Sequence, residues 1–224
     1  MEIIEPLIEV ENYDAIKILK NIERACRTCY RSENLIDENS YMKILKNCID
    51  RGHESILEHE KVTVRFKCDV GVYKDLTRHR VGTAFSIEST RYCNYSKDKF
   101  TNSIKFIKPV FITNPENYET WKNTMEDIEK AYIKMANNGA LTDELRMLLP
   151  HSTAAEVTMT CNIREWRHVL SLRTSSRVHP AIRQLLIPLL LKFKKDFPVL
   201  FEDISYDEDF PKEWYAELKT IKDK

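Results

Sequence analysis

Glycine is nearly missing from this sequence, with 4 residues in 224. A glycine-rich phosphate cradle is therefore unexpected, and neither GxGxxG nor GxxxxGKS/T occurs. Any phosphate must be held mainly by side chains. An excess of positive charge is lacking too. Lys plus Arg and Asp plus Glu number 35 each, which argues against a general binder of nucleic acid or membrane surfaces but leaves room for a local basic pocket. No apolar run approaches a membrane span; "LLIPLLL" is too short. The N-terminal "MEIIEPLIEVENYD" is acidic and has no basic stretch ahead of its apolar residues. It does not read as a secretory leader, and cytoplasm is the expected compartment. Cys26 and Cys29 form the single CxxC, and no second pair completes a closed zinc site. The six cysteines are expected to be buried or half-buried thiols. "GHESILEH" invites a metalloprotease reading, but His53 and His59 are six apart, roughly 600° around a helix. They point to different sides, and no metal is expected.

What is present is an ordinary globular composition, 42% hydrophobic and 31% charged. The length suits one core, so residues 1–224 are expected to form a single domain. Ile16, Leu19, Ile22 and Cys26 recur at helical steps, as do Met42, Leu45 and Ile49, with Gly52 as a stop. "KVTVRFKC" alternates from Lys61 to Cys68 and predicts a half-buried strand; "AEVTMTC" predicts another. A short helix is predicted over "YKDLTRHR", and residues 97–118 read as a loop with one short strand at most. Trp121, Met125, Ile128, Tyr132 and Met135 mark a helix ending at a left-handed Gly139. "TDELRMLL" reads as a helix capped by Thr142. Further helices are predicted from Ile163 and after Pro180, the last kinked at Pro188. The expected class is α+β.

Three segments carry candidate chemistry. "RHRVGTAFSIESTRY", Arg78 to Tyr92, strings Arg78, His79, Arg80, Ser89, Thr90 and Arg91 together. Guanidinium forks and hydroxyls match phosphate oxygens, and the interleaved Phe85, Ile87 and Tyr92 point to a pocket wall rather than a solvated turn. "CNIREWRHVLSLRTSSRVHP" places Arg164 and His168 one helical turn apart, with Asn162 before the helix and Arg173 near its end. Trp166 and Leu170 face the other way, toward a core. "GHESILEH" and Arg146 in "ELRMLLP" stand alone as polar surface. From the residues alone, the same arginine and aromatic groups would suit a nucleotide- or single-stranded-RNA-binding protein without chemistry. Neutral charge and dispersal over separate segments count against nucleic acid.

Together these segments resemble the flavin-dependent thymidylate synthases. That family carries RHR, seven or eight residues, then Ser; here eight residues separate Arg80 from Ser89. "GHES.LEH" upstream and "STRY", "R.LLP", "N.R.WRH....R" and "HP.IR" downstream stand in the family's order. The resemblance implies an α+β fold with a small curved antiparallel sheet and surrounding helices, assembled as a homotetramer with shared active sites. It implies conversion of dUMP to dTMP, with methylenetetrahydrofolate as carbon donor, FAD as hydride carrier and NADPH as reductant. Carried over, Arg78, His79 and Arg80 belong to the flavin and nucleotide site, and His53, Ser55 and Glu58 line the flavin and folate region. Asn162, Arg164 and His168 contact FAD. Ser89, Thr90 and Arg91 hold dUMP, with Arg91 and Arg146 on its phosphate. Arg173 addresses the uracil ring, where a cation stabilises developing charge. The implied catalytic group is His53, Ser89 and Arg173, with Ser89 an orienting hydroxyl rather than a nucleophile.

Three positions depart from the family pattern. Ile87 stands where many members have Glu, with Glu88 just before Ser89. Asp75 stands where some have Gln, and a carboxylate there is expected to pair with a neighbouring arginine rather than face a phosphate. The spacing from Arg173 to His179 is slightly long, which makes His179 structural. Ile87 and Asp75 together leave open a family member without activity.

Overall fold

The computed structural model describes residues 1–97 and 102–221. Seven strands are named among them: β1 (Glu2–Ile4), β2 (Leu7–Glu11), β3 (Lys61–Asp69), β4 (Thr83–Ile87), β5 (Lys105–Ile107), β6 (Ala154–Asn162) and β7 (Glu217–Ile221). The helices are α1 (Ala15–Thr28), α2 (Ser40–Asp50), α3 (Val70–Leu76), α4 (Pro115–Asn137), α5 (Thr142–Leu145), α6 (Ile163–Arg173), α7 (Pro180–Asp196) and α8 (Pro198–Phe201).

The alternation in "KVTVRFKC" becomes the centre of the sheet. Val62, Val64, Phe66 and Cys68 are buried while their neighbours are not. β3 pairs antiparallel with β6 from Lys61↔Asn162 to Asp69↔Ala154. The strand order is β4-β6-β3-β2-β7. The sheet is not wholly antiparallel as expected: β7 runs parallel to β2, and β1 with β5 forms a separate parallel pair. A chain that returns from a distant helix can lie along β2 in either sense, and local alternation does not encode which.

Helices α6 and α7 cover one face. Trp166 is fully buried, and its indole N–H donates to the Val62 carbonyl at 2.9 Å. Phe193, Phe197 and Phe201 pack around it and Tyr13. A second apolar cluster, with Phe106, Met125, Tyr132 and Leu145, lies under α4. Helix α7 runs on through Pro188. Proline has no N–H to offer the carbonyl four residues back; the N–H of Ala216 takes that Gln184 carbonyl instead, at 2.9 Å. The C-terminal segment thus repairs what the proline leaves open.

Several boundaries differ from the sequence expectation. The helix expected over "YKDLTRHR" starts at Val70, because Asp69 caps it by accepting from Val72 N–H at 2.8 Å, and it ends at Leu76, before RHR. Helix α4 begins at Pro115, inside the expected loop, with Asn114 as its cap and proline in the first turn. Thr142 is not a cap. Leu141 holds that position, and its N–H is satisfied by the Glu144 carboxylate at 2.7 Å. The helix there is one short turn followed by a 3-10 turn, Arg146–Leu148. Ile16 and Met42 are exposed, while Ile18 and Tyr41 turn inward. Cys29 is exposed, not half-buried, and Cys26 meets Cys48 rather than Cys29, at 3.5 Å between sulfurs. Gly52 and Gly139 do take left-handed backbone conformations at their helix ends.

Candidate functional site

The segment that begins with RHR is a turn, a strand and a second turn. Arg78 follows α3 and pairs with Asp75 at 3.3 Å, the pairing expected for that carboxylate. Gly82 then turns the chain at φ +65°, where an L side chain is strained, and a Cβ there would sit 2.1 Å from Asn162 Nδ2. β4 follows as an edge strand on β6. A five-residue strand at about 3.3 Å per residue spans roughly 15 Å. The spacer between RHR and Ser89 is therefore a ruler.

At the RHR end a cleft of about 600 Å³ is lined by Glu54, Glu58, Asn162, Arg164, His168 and Ser205, among others. An adjoining one of about 610 Å³ shares Glu58 and Asn162 and adds Gly82 and Thr83. Asn162 reaches both because it ends β6 and caps α6: its Oδ1 accepts from Glu165 N–H at 2.8 Å, leaving the amide NH2 toward the clefts. Arg164 and His168 do share a face, both exposed and both lining the same cleft. Arg164 pairs with Glu58 at 2.5 Å. Behind it Arg167, nearly buried, binds both oxygens of Asp203 at 2.8 Å, Glu54 at 3.1 Å and the Leu200 carbonyl.

His79 is the deepest member, 5% exposed. Its Nε2 accepts from Arg173 Nε–H at 3.0 Å, so the ring proton sits on Nδ1, 3.2 Å from Glu165 Oε1. Burial lowers its pKa to about 4, helped by the nearby Arg173 and His168. Burial also raises the carboxyl pKa of Glu165, against the pull of His168 and Arg164. The ligating atoms of His79, Glu165 and His168 lie within 4.8 Å of one another, a metal-like spacing. Both nitrogens of His79 are already engaged, however, Nε2 by the Arg173 guanidinium and Nδ1 by Glu165. Arg173 also donates to the Asp75 carbonyl at 3.1 Å.

At the other end of β4, Ser86, Ile87, Glu88, Tyr95 and Thr158 line a cleft of about 520 Å³. Glu88 braces it, accepting from Tyr95 O–H at 2.9 Å. Ser89 and Thr90 are half-buried in the turn beyond. Arg91 pairs with Asp143 at 3.1 Å on the surface. Arg80 and Arg146 are exposed and have no ion-pair partner among the described residues. Ser89, Thr90, Arg91 and Arg146 line none of these three clefts, and neither do His53 and Ser55, which are exposed beside the Gly52 turn.

Within one chain, then, Glu58, Asn162, Arg164 and His168 converge, with His79 and Arg173 beneath, while the Ser89 group lies a strand away. Sequence reasoning missed Gly82, Glu54, Glu165, Arg167 and Asp203. A glycine in so glycine-poor a chain was the available signal for the first. Nothing in local pattern distinguishes Glu165 and Arg167 from solvated helix charges.

The family model described as thymidylate synthase complementing protein matches residues 14–199. A flavin-dependent thymidylate synthase from Pyrococcus furiosus is 30% identical over 162 residues, covering 71% of this chain and 65% of that protein's length. Two solved structures share the fold at TM-score 0.72. One is a UMP/dUMP methylase, PolB, from Streptomyces cacaoi bound with 5-Br dUMP (21% identity; 90% of this chain, 96% of that one). The other is thymidylate synthase X from Helicobacter pylori with FAD and dUMP (20% identity; 89% and 98%). With a family match running from the cap of α1 into α8 and RHR, its serine and the α6 arginines all in place, this chain belongs to the flavin-dependent thymidylate synthase family.

Proposed function

We propose that this chain catalyses the reductive methylation of dUMP to dTMP, with methylenetetrahydrofolate as carbon donor, a bound FAD and NADPH as reductant. One observation carries the reading: Asn162, Arg164, His168 and Glu58 line one cleft, together with Glu165, whose carboxylate meets His79 and through it Arg173.

The residues present fit a flavin dinucleotide. Its pyrophosphate needs donors, and with no glycine cradle these are Arg78, Arg80, Arg164 and the free amide of Asn162. Gly82 lets that amide lie against the backbone, a place a Cβ would fill. When bound, the flavin supplies the hydride that completes the methyl group. Glu58 keeps the Arg164 guanidinium at the cleft until an anion replaces it. Arg173 offers its remaining N–H groups to a pyrimidine carbonyl, stabilising charge that develops there. Ser89 orients the nucleotide. Its hydroxyl accepts from Arg91 N–H at 3.4 Å and has no histidine or carboxylate partner among the described residues to activate it.

Ser89, Thr90, Arg91 and Arg146 sit on a face with exposed Tyr92 (82%), Leu141 (72%) and Met147 (81%). Apolar side chains this open fit a subunit contact. A homotetramer that brings this face to a neighbour's flavin cleft reunites the two halves of the site.

The test is direct. Purified protein should take up FAD, bleach with NADPH, and form dTMP from dUMP only with methylenetetrahydrofolate present. It should also support growth of a thymidine-requiring strain. A colourless protein that takes up no added FAD would overturn the reading.

A further inference from the structure

Glu165 is 8% exposed, and its carboxylate gains little from that burial unless it is partnered. The α6 N-terminus does not need it, because Asn162 already caps that helix. Its side-chain partner is instead 86 residues away in sequence: Oε1 lies 3.2 Å from Nδ1 of His79. His79 in turn meets Arg173 through Nε2 at 3.0 Å. Glu165 is in the first turn of α6 and Arg173 ends it, about 12 Å further along the axis at 1.5 Å per residue. One imidazole from the loop after α3 therefore ties together the two ends of α6.

The order of donors and acceptors leaves one arrangement. A guanidinium N–H can only donate, so His79 Nε2 must present a lone pair. The ring proton is then on Nδ1 and needs an acceptor in a buried place, which Glu165 supplies. An imidazolium there would set a second N–H against that of Arg173 and bring His168, whose ring centroid is 5.6 Å away, beside another cation. The second bond of Arg173, to the Asp75 carbonyl at 3.1 Å, fixes the plane of the guanidinium. Two of its five N–H groups are used, and the other three are left in a set direction.

We propose that Glu165 is a positioning residue: it holds His79 as the Nδ1–H tautomer, and His79 through Nε2 aims Arg173 at the carbonyl edge of the pyrimidine substrate. The identity of that substrate rests on the function proposed above. The hydrogen-bonded relay itself does not.

Two measurements keep these apart. In the intact wild-type protein with 15N-labelled histidine at pH 7, His79 should show protonated Nδ1 and unprotonated Nε2. An Nε2–H tautomer or an imidazolium would overturn the relay. Glu165→Leu should lose that tautomer preference and raise KM for dUMP roughly 10- to 100-fold, the worth of a hydrogen bond to a charged group, with KM for NADPH little changed. Glu165→Gln keeps an acceptor oxygen and should restore KM for dUMP to within a few-fold. A Glu165→Leu enzyme with unaltered tautomer and unaltered dUMP KM also overturns the proposal. If Glu165→Leu does not fold, the wild-type tautomer and the Gln variant decide. Wild-type protein with the expected tautomer but no conversion of dUMP would leave the relay standing and remove its assigned substrate.

Discussion

Replacing His79 should change how stability depends on pH. In the folded chain its pKa is lowered to about 4 by burial and by the neighbouring Arg173 and His168, against an ordinary value of 6.5. Above pH 6.5 the ring is neutral in both folded and unfolded chains, and the lowered pKa has no effect. Between pH 6.5 and 4 the unfolded chain takes up a proton that the folded chain refuses, so stability falls with pH through this window and levels off below it. At pH 5 the gap is about 1.5 units below 6.5, which at about 1.4 kcal/mol per unit is about 2 kcal/mol. The burial is deep enough, at 5% exposure, that solvent screening takes little from this figure. The assay is urea unfolding at one protein concentration, at pH 7 and pH 5, for wild type and His79→Gln. Glu165, whose carboxyl pKa burial raises, works in the opposite sense, but it is present in both proteins. Wild type should lose about 2 kcal/mol more than His79→Gln between the two pH values. Equal losses would refute the assignment of a buried, neutral imidazole.

Gly82→Ala should cost about 2 to 3 kcal/mol in denaturant unfolding, from left-handed backbone strain and displacement of the Asn162 cap, and should reduce the flavin retained on purification. Arg167→Leu should cost about 3 kcal/mol by the same measure, the low end for a broken buried pair because Asp203 and Glu54 can reach water. The Asp203 carboxyl pKa is lowered chiefly by its hydrogen bond to Arg167, so wild type holds an advantage above the ordinary carboxylate range that fades as pH falls through it, and the variant should lose this acid limb. Ser89→Ala should retain substantial tritium release from labelled dUMP; complete loss with dUMP binding intact would make Ser89 a reacting group.

How much of this was legible in the sequence follows from the range of each signal. The central strands β3 and β6 were readable because alternation is local and each has one buried face. The strand β4 was not, since its five residues lie at an edge and hide inside a segment whose polar groups drew attention instead. The parallel β7 depends on where the chain arrives after α8, which no short window contains. The convergence of Asn162, Arg164 and His168 came from a three- and four-residue helical step that the sequence states outright. Glu165, Arg167 and Asp203 matter through partners 36 to 113 residues away, and a charge on a helix does not announce a distant mate. His79 was placed at the site, yet its depth was invisible, because RHR read as the end of a short helix and not as a turn that drops one side chain inward.

The chain's zero net charge can now be connected to its lack of glycine. Without a backbone cradle the proposed site relies on arginines, and most of the candidate arginines carry a carboxylate: Arg78 with Asp75, Arg91 with Asp143, Arg164 with Glu58, Arg167 with Glu54 and Asp203. These pairs fall into two classes by exposure. Arg78, Arg91 and Arg164 are half or more exposed, and ion pairs in water are worth about 0 to 1 kcal/mol. On the function proposed above, a phosphate displaces such a carboxylate at little cost, and the acid holds the guanidinium extended until that ligand arrives. Arg167 is about 10% exposed and binds three groups, and no ligand can displace them without leaving a buried charge unpaired. The same residue type therefore stands in two settings, divided by burial: the exposed arginines hold pairs weak enough to exchange, and Arg167 ties Glu54 to Asp203.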